Sequence, residues 1–221
     1  MGIAATTFSI GDVPSINFAS GSKLVLLGII FAAVSMLYIV AFETFSKFFK
    51  AVLKNQYLIM AVGGGIVALL TLVLQSNEYL GTGISQIPDL LFVSAPWYVF
   101  LLKILFTAVS LGAGFKGGEI APAMFVGASL GSFLAPMFGL PIPLVVACGM
   151  AAVFCGVTNS PITAIVFSVE LFGASQIYYT MICVAVSYLI SEYFSIYKTQ
   201  KIMYSKYSTT FINRKSHHID T

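Results

Sequence analysis

The sequence predicts an all-α integral membrane protein, and three observations carry that prediction. Apolar residues make up 58% of the 221-residue chain and charged residues only 9%, with a mean hydropathy of +0.96. A water-facing domain carries about 25% charged residues, so eleven basic and eight acidic side chains cannot coat one. The charges are also segregated. None falls between Leu24 and Phe42, between Asn55 and Asn77, or between Leu171 and Ser191, and Ile120 to Val169 is wholly uncharged. Disordered chains are polar and poor in aromatics, the reverse of this one. A net charge of +3 is too small to suggest a nucleic-acid partner.

The elements follow from where the charges and helix breakers stand. Residues 1–22 form a polar segment rich in Ser, Thr and Gly, with no basic region followed by an apolar run that would read as a signal peptide. Lys23 opens one long helix to about Val52, apolar first and then charged at Glu43, Lys47 and Lys50. A second span runs from about Tyr57 to Leu74, and Glu78 to Asp89 is a polar connection. Pro96 to about Gly114 is the third apolar helix. Its lone Lys103 reads as a snorkelling side chain or the partner of a lipid phosphate. Ile120 to Val169 is about twice too long for one crossing of a 30 Å core. Gly139-Leu-Pro-Ile-Pro143 and Asn159-Ser-Pro161 are its natural breaks. The expected helices are therefore Glu119 to Phe138, Pro141 to Val157 and Ser160 to Phe172, followed by Ser175 to Phe194. Residues 198–221 form a basic tail whose start is open to a final helix; it carries Lys198, Lys201, Lys206, Arg214 and Lys215 against Asp220.

The Lys/Arg bias orients the chain. Lys47, Lys50 and Lys54 crowd one loop and five basic residues fill the tail. An even number of apolar segments lies between them, so both are expected on the cytoplasmic side, with the N-terminus outside. That arrangement suggests that something normally precedes Met1.

Several segments are short and interrupted by Gly or Pro. Broken helices at membrane depth occur where they are buried in protein or line a cavity. The most informative break is Gly112 to Pro122. Gly117 and Gly118 permit a tight turn, and Pro122 suits a first helical turn where its missing N–H costs nothing. The N–H groups of Gly118, Glu119 and Ile120 would then be helix-start donors facing an anion. A glycine-lubricated turn between packed helices fits the same residues.

At these residues the sequence resembles the CLC family of chloride channels and proton-coupled anion antiporters. The family's Gly-x-Phe-x-Pro signature corresponds to Gly118-Glu119-Ile120-Ala121-Pro122, with Ile where Phe is usual. Gly149 to Glu170 looks like the family's small-residue stretch ending in Pro-(Leu/Ile)-Thr-x-Ile, here Pro161 to Ile165, and a later Glu. Ile196-Tyr197 resembles the site of the tyrosine whose hydroxyl contacts the central anion. Gly-Phe-Lys-Gly-Gly-Glu (114–119), Thr158 to Pro161 and Glu170 to Gly173 are similar to the fluoride-handling and related bacterial branch.

The resemblance implies the second of two inverted repeats, residues 23–197, with broken and tilted helices. It implies transport of chloride or another small halide, with fluoride left open and protons as a further partner. Gly118, Glu119, Ile120 and Tyr197 would bind the anion, framed by Gly117, Ala121 and Pro122. No counterpart of the first repeat's Gly-Ser-Gly-x-Pro or Gly-(Lys/Arg)-Glu-Gly-x motifs occurs. A first-repeat polypeptide is therefore expected, and the resemblance implies homodimerisation of the complete unit in a cell membrane. Glu119 is the departure: it points away from the ion, is protonated by desolvation, or takes part in proton transfer.

Neither a cofactor nor a metal nor a catalytic residue is expected. Cys148, Cys155 and Cys183 sit in apolar runs and read as core residues. Gly112-Ala-Gly-Phe-Lys-Gly117 fits a dinucleotide fingerprint but follows an apolar span rather than a strand. Gly127-Ala-Ser-Leu-Gly131 fits a nucleophile elbow, but His217 and His218 lie far off in the tail, so Ser129 lacks a base. Lys116 adjoins the site and could attract anions. Glu170 and Glu192, near helix ends, read as structural or interfacial.

Overall fold

The computed structural model describes Phe8, Ile10, Gly11, residues 13–197 and residues 199–216. Lys198, His217, His218, Asp220 and most of the first dozen residues lie outside the described residues. The helices in chain order are α1 (Phe18–Val52), α2 (Gln56–Leu74), α3 (Ile87–Leu90), α4 (Tyr98–Gly112), α5 (Ile120–Phe138), α6 (Ile142–Thr158), α7 (Pro161–Phe172) and α8 (Ile177–Ile190). A 3₁₀ turn at Ile84–Gln86 precedes α3, and a hairpin of β1 (Lys201–Tyr204) and β2 (Phe211–Lys215) closes the chain. Helices α1, α2 and α5 are long and apolar enough to cross a membrane, and α4, α6, α7 and α8 are shorter apolar helices. The architecture is all-α apart from the hairpin.

Helix α1 begins before Lys23 because Asn17 and Ser20 form a capping box. The Asn17 side chain accepts the Ser20 N–H and the Ser20 hydroxyl accepts the Asn17 N–H, both at 2.9 Å, which satisfies two donors at the helix start. The long uncharged stretch breaks where the sequence places the breaks. Gly139 ends α5 at φ 61° and Asn159 ends α6 at φ 57°, both left-handed. Lys23 adds a cap that its sequence position hides: its ammonium donates to the Phe138 carbonyl at 2.6 Å, where a cation meets the negative end of α5.

The core is the antiparallel pair α5 and α6, most of whose residues are buried. Gly127 lies against the Gly149 backbone and Gly131 against Val145, so close that a Cβ on either glycine would strike a carbonyl oxygen. These are the small residues that let membrane helices approach. Helix α1 crosses this pair with Phe31 against Gly149 and Ser35 against Gly156. Helix α8 runs parallel to α1, with Cys183 near Leu24 and Val186 on Gly28. By contrast α2 leans on the rest mainly through Gly63 at Ala113, leaving Leu69, Leu72 and Val73 exposed, as suits a helix facing lipid.

The residues after Lys198 do not start a final helix; they pair as antiparallel strands, with Lys201 opposite Lys215 and Tyr204 opposite Phe211. Ile202, Tyr204, Phe211 and Ile212 are β-branched or aromatic residues of the kind that favour a strand. The hairpin caps the last turn of α8. Lys206 Nζ donates to the Tyr188 carbonyl at 2.7 Å and the Tyr207 hydroxyl to the Leu189 carbonyl at 2.6 Å, filling acceptors a helix end leaves open.

Candidate anion site

Helix α1 fixes the depth at which α5 begins. At 1.5 Å per residue α1 is about 52 Å long, and Tyr38 lies about 30 Å from its start, inside the uncharged Leu24 to Phe42 stretch. The Tyr38 hydroxyl donates to the Glu119 carbonyl at 2.8 Å, which pins the residue just before α5 to this middle level. Helix α4 ends lower, with Gly112 against Phe45 and Ser46. Between the two levels the chain is not helical, and Gly114, Phe115, Lys116, Gly117 and Gly118 are all exposed. Non-helical backbone at such a depth must meet either covering protein or a water-filled cavity.

Helix α5 has no side-chain cap at its start, so its first-turn N–H groups lack acceptors inside the helix. Glu119, at φ −84° and ψ −26°, is the N-cap. Pro122 is buried in the first turn and Ala121 is half-buried. Gly117, Gly118 and Pro122 line a cavity of about 230 Å³ together with Tyr79, Ser110 and Lys116.

Tyr197 reaches the same end of the molecule by another route. Running the α5–α6 register back about two turns from Gly127 and Gly149 sets Glu119 level with Val157. The Val157 carbonyl accepts the Ile196 N–H at 3.0 Å, so Tyr197 follows at the level of the α5 start. Its carbonyl is held by the Ser216 hydroxyl at 2.9 Å and the Gln200 N–H at 3.1 Å. Its own side chain is 42% exposed, and its hydroxyl makes no hydrogen bond among the described residues.

Lys103 corrects the sequence reading. It neither snorkels nor faces lipid: it is fully buried, donates to the Tyr79 and Gly81 carbonyls at 3.1 and 2.9 Å, and lies 5.2 Å from the Phe125 ring centre. No carboxylate forms an ion pair with it among the described residues. Its role visible here is to staple the α2–α3 connection onto α4 and α5, walling the cavity beside Gly118. Lys103→Met should therefore loosen residues 79–83, raising their amide hydrogen exchange about tenfold, in line with a lost charged hydrogen bond. Unchanged exchange there would rule the staple out.

The rejected motifs resolve as packing. Ser129 is buried and bonds to the Phe125 and Val126 carbonyls, which leaves it no nucleophile's environment. Cys148, Cys155 and Cys183 are free and buried. Lys116, Glu170 and Glu192 are exposed. The roles of two polar groups are not legible in the sequence: Tyr38, whose signal is a hydroxyl midway along an apolar helix, and Lys206, which reads there only as one basic residue of the tail.

Lys206 lies 3.9 Å from the Tyr188 ring centre, and burial lowers its amine to about 8 from an ordinary 10.5, against upward pulls from Cys155 and Glu192. The docked hairpin thus binds fewer protons than a free one between those values. Its docking should tighten as pH rises from about 8 toward 10.5. Exchange protection of the amides after Tyr188, corrected for intrinsic rates, should grow across that window; a flat profile would contradict it.

A family model described as voltage gated chloride channel matches residues 2–192. The chain belongs to that family. Among curated proteins it is similar to a chloride/fluoride channel protein of Pseudomonas syringae pv. tomato, 36% identical over 213 residues, covering 93% of this chain and 47% of the relative. Among solved structures it is similar to a CLC-type fluoride/proton antiporter, with 32% identity, a TM-score of 0.83 and coverage of 89% of this chain and 50% of that one. A slow cyanobacterial chloride/proton antiporter shares the fold, with a TM-score of 0.64 at 20% identity over 86% of this chain and 47% of that one. The chain spans about half the length of these relatives. Family and fold thus follow for a CLC chain, and the membership sets aside the enzymatic readings.

Proposed function

We propose that this CLC chain is the second inverted repeat of a transporter or channel for small anions and works with a first-repeat polypeptide. The observation that carries the reading is the exposed Gly114–Gly118 segment, which leads at mid-membrane depth into the uncapped start of α5. Backbone N–H groups at Gly118, Glu119 and Ile120, with the Tyr197 hydroxyl, would replace part of a halide's hydration shell. Dipoles of this kind admit an anion without the hold of a full positive charge, as conduction requires. Gly117 leads into that helix start, and Ala121 and Pro122 form its first turn.

A partner surface fits here because Gly114–Gly118 stays exposed among the described residues. The complete unit would be a homodimer in the cell membrane, with the basic end of α1 and the tail both cytoplasmic. The parallel course of α1 and α8 supports that orientation, since it sends both ends the same way. The ion is chloride, with fluoride as the finer reading favoured by the 36% identical chloride/fluoride channel relative. Protons enter as co-substrate if Glu119, beside Tyr38, exchanges them.

Liposomes holding this chain alone should show no selective halide flux, and co-expression with a first-repeat polypeptide should restore it. Selective flux from the chain alone would refute the half-protein reading. No halide binding even with the partner present would refute transport and leave a membrane interaction protein.

A further inference from the structure

We propose that the junction of α1 and α2 is a binding site for the phosphate headgroup of an anionic membrane lipid, separate from the halide site. A cavity of about 500 Å³ opens there, lined by Lys50, Lys54, Gln56, Ile59 and Gly114 among others, and none of its lining residues is acidic. Lys50 and Lys54 are exposed, and neither has an ion-pair partner among the described residues. Lys47 stands one turn earlier on α1.

Depth argues for a lipid as the occupant. The uncharged stretch of α1 from Leu24 to Phe42 is about 28 Å long, close to the thickness of a hydrocarbon core. Lys50 lies about 12 Å further along the axis, a distance that helix tilt and flexible lysine stems shorten toward the headgroup layer. Past Asn55 the chain turns back into the uncharged α2, so the cavity sits where the chain re-enters the membrane. On its membrane side α2 offers an apolar wall for acyl chains, with Tyr57 84% and Leu58 52% exposed. Basic pockets between membrane helices at the interface are matched in charge and depth to anionic headgroups. The cavity also touches Gly114, the first residue of the exposed segment leading to α5, so a bound lipid would brace that segment from below.

The test is native mass spectrometry of the purified full chain with phosphatidylglycerol, phosphatidylcholine and inorganic phosphate. The wild-type chain should retain phosphatidylglycerol in preference to phosphatidylcholine, and millimolar inorganic phosphate should not displace it. Lys50→Gln with Lys54→Gln should lower phosphatidylglycerol affinity by about thirtyfold, the effect expected of two lysines at an anionic surface. Lys50→Arg with Lys54→Arg should restore it, and Lys201→Gln in the tail should leave it intact. Undiminished preference in the double Gln variant would overturn the proposal, as would equal retention of both lipids by the wild type. Displacement by inorganic phosphate would make the site one for a free ion, and displacement by a first-repeat polypeptide would make it a protein interface; either result rejects the lipid.

Discussion

Gly127→Val should leave α5 and α6 unable to pack. A Cβ at Gly127 would occupy the space of the Gly149 carbonyl oxygen and lie about 3 Å from Met150 Cα, and neither backbone can retreat. Behind Gly149 stands Phe31 of α1, whose ring atoms are already 3.0 Å from an added Cβ there. Overpacking in a core costs about 1–3 kcal/mol when side chains can yield; here the clash is with backbone, so the loss should reach or exceed the top of that range. The expected result is loss of the cooperative thermal transition in detergent, or a fall of its midpoint by about 6–12 °C or more, the drop a lost 3 kcal/mol produces in a chain of this size. Gly65→Ala is the contrast. Nothing lies within 4 Å of a Cβ at Gly65, and helix propensity favours Ala over Gly by about 1 kcal/mol, so this variant should melt no earlier than the wild type.

The elements legible in the sequence are those whose causes are local. Charge gaps marked the spans, and left-handed Gly139 and Asn159 ended α5 and α6 where Gly and Pro punctuate the sequence. A border at Lys23 starts α1 too late, since the Asn17–Ser20 capping box carries the helix back to Phe18. The tail's basic charge does not distinguish a strand from a helix; the hairpin pairs residues across the turn, which no local count of charge reveals.

At the candidate site the same division holds. The left-handed glycine of the break is Gly114 at φ 90°, not Gly117 or Gly118. Of the α5 start, Pro122 in the first turn was readable, since helix-start chemistry is local. What holds that start in place was not. Tyr38 reaches Glu119 from another helix, and Lys103 reaches carbonyls across the α2–α3 connection. From its own segment a lysine in an apolar run reads as one that snorkels to the interface; only the fold shows that Tyr79 and Gly81 supply its acceptors. Lys206, twinned in sequence with four other basic residues of the tail, gave no sign that it caps α8.

Two variants separate the donors assigned to the anion. Ile120 is the first residue of α5, where proline is tolerated and removes only the N–H. Glu119 lies in the helical region that a following proline disfavours, so Ile120→Pro also needs its melting midpoint measured. Tyr197→Phe deletes one hydroxyl, makes no backbone demand, and leaves no protein acceptor bereft. A hydrogen bond to a charged group contributes about 1.5–3 kcal/mol, so each variant should weaken halide binding by roughly tenfold to a hundredfold.

Calorimetric titration of chloride and fluoride into the chain paired with its first-repeat polypeptide is therefore the most direct measurement of the central claim. The wild-type pair should bind halide, and Tyr197→Phe and Ile120→Pro should each weaken that binding tenfold or more while folding is retained. Halide affinity unchanged in both variants would contradict the site, and with it the account of how this chain handles an anion.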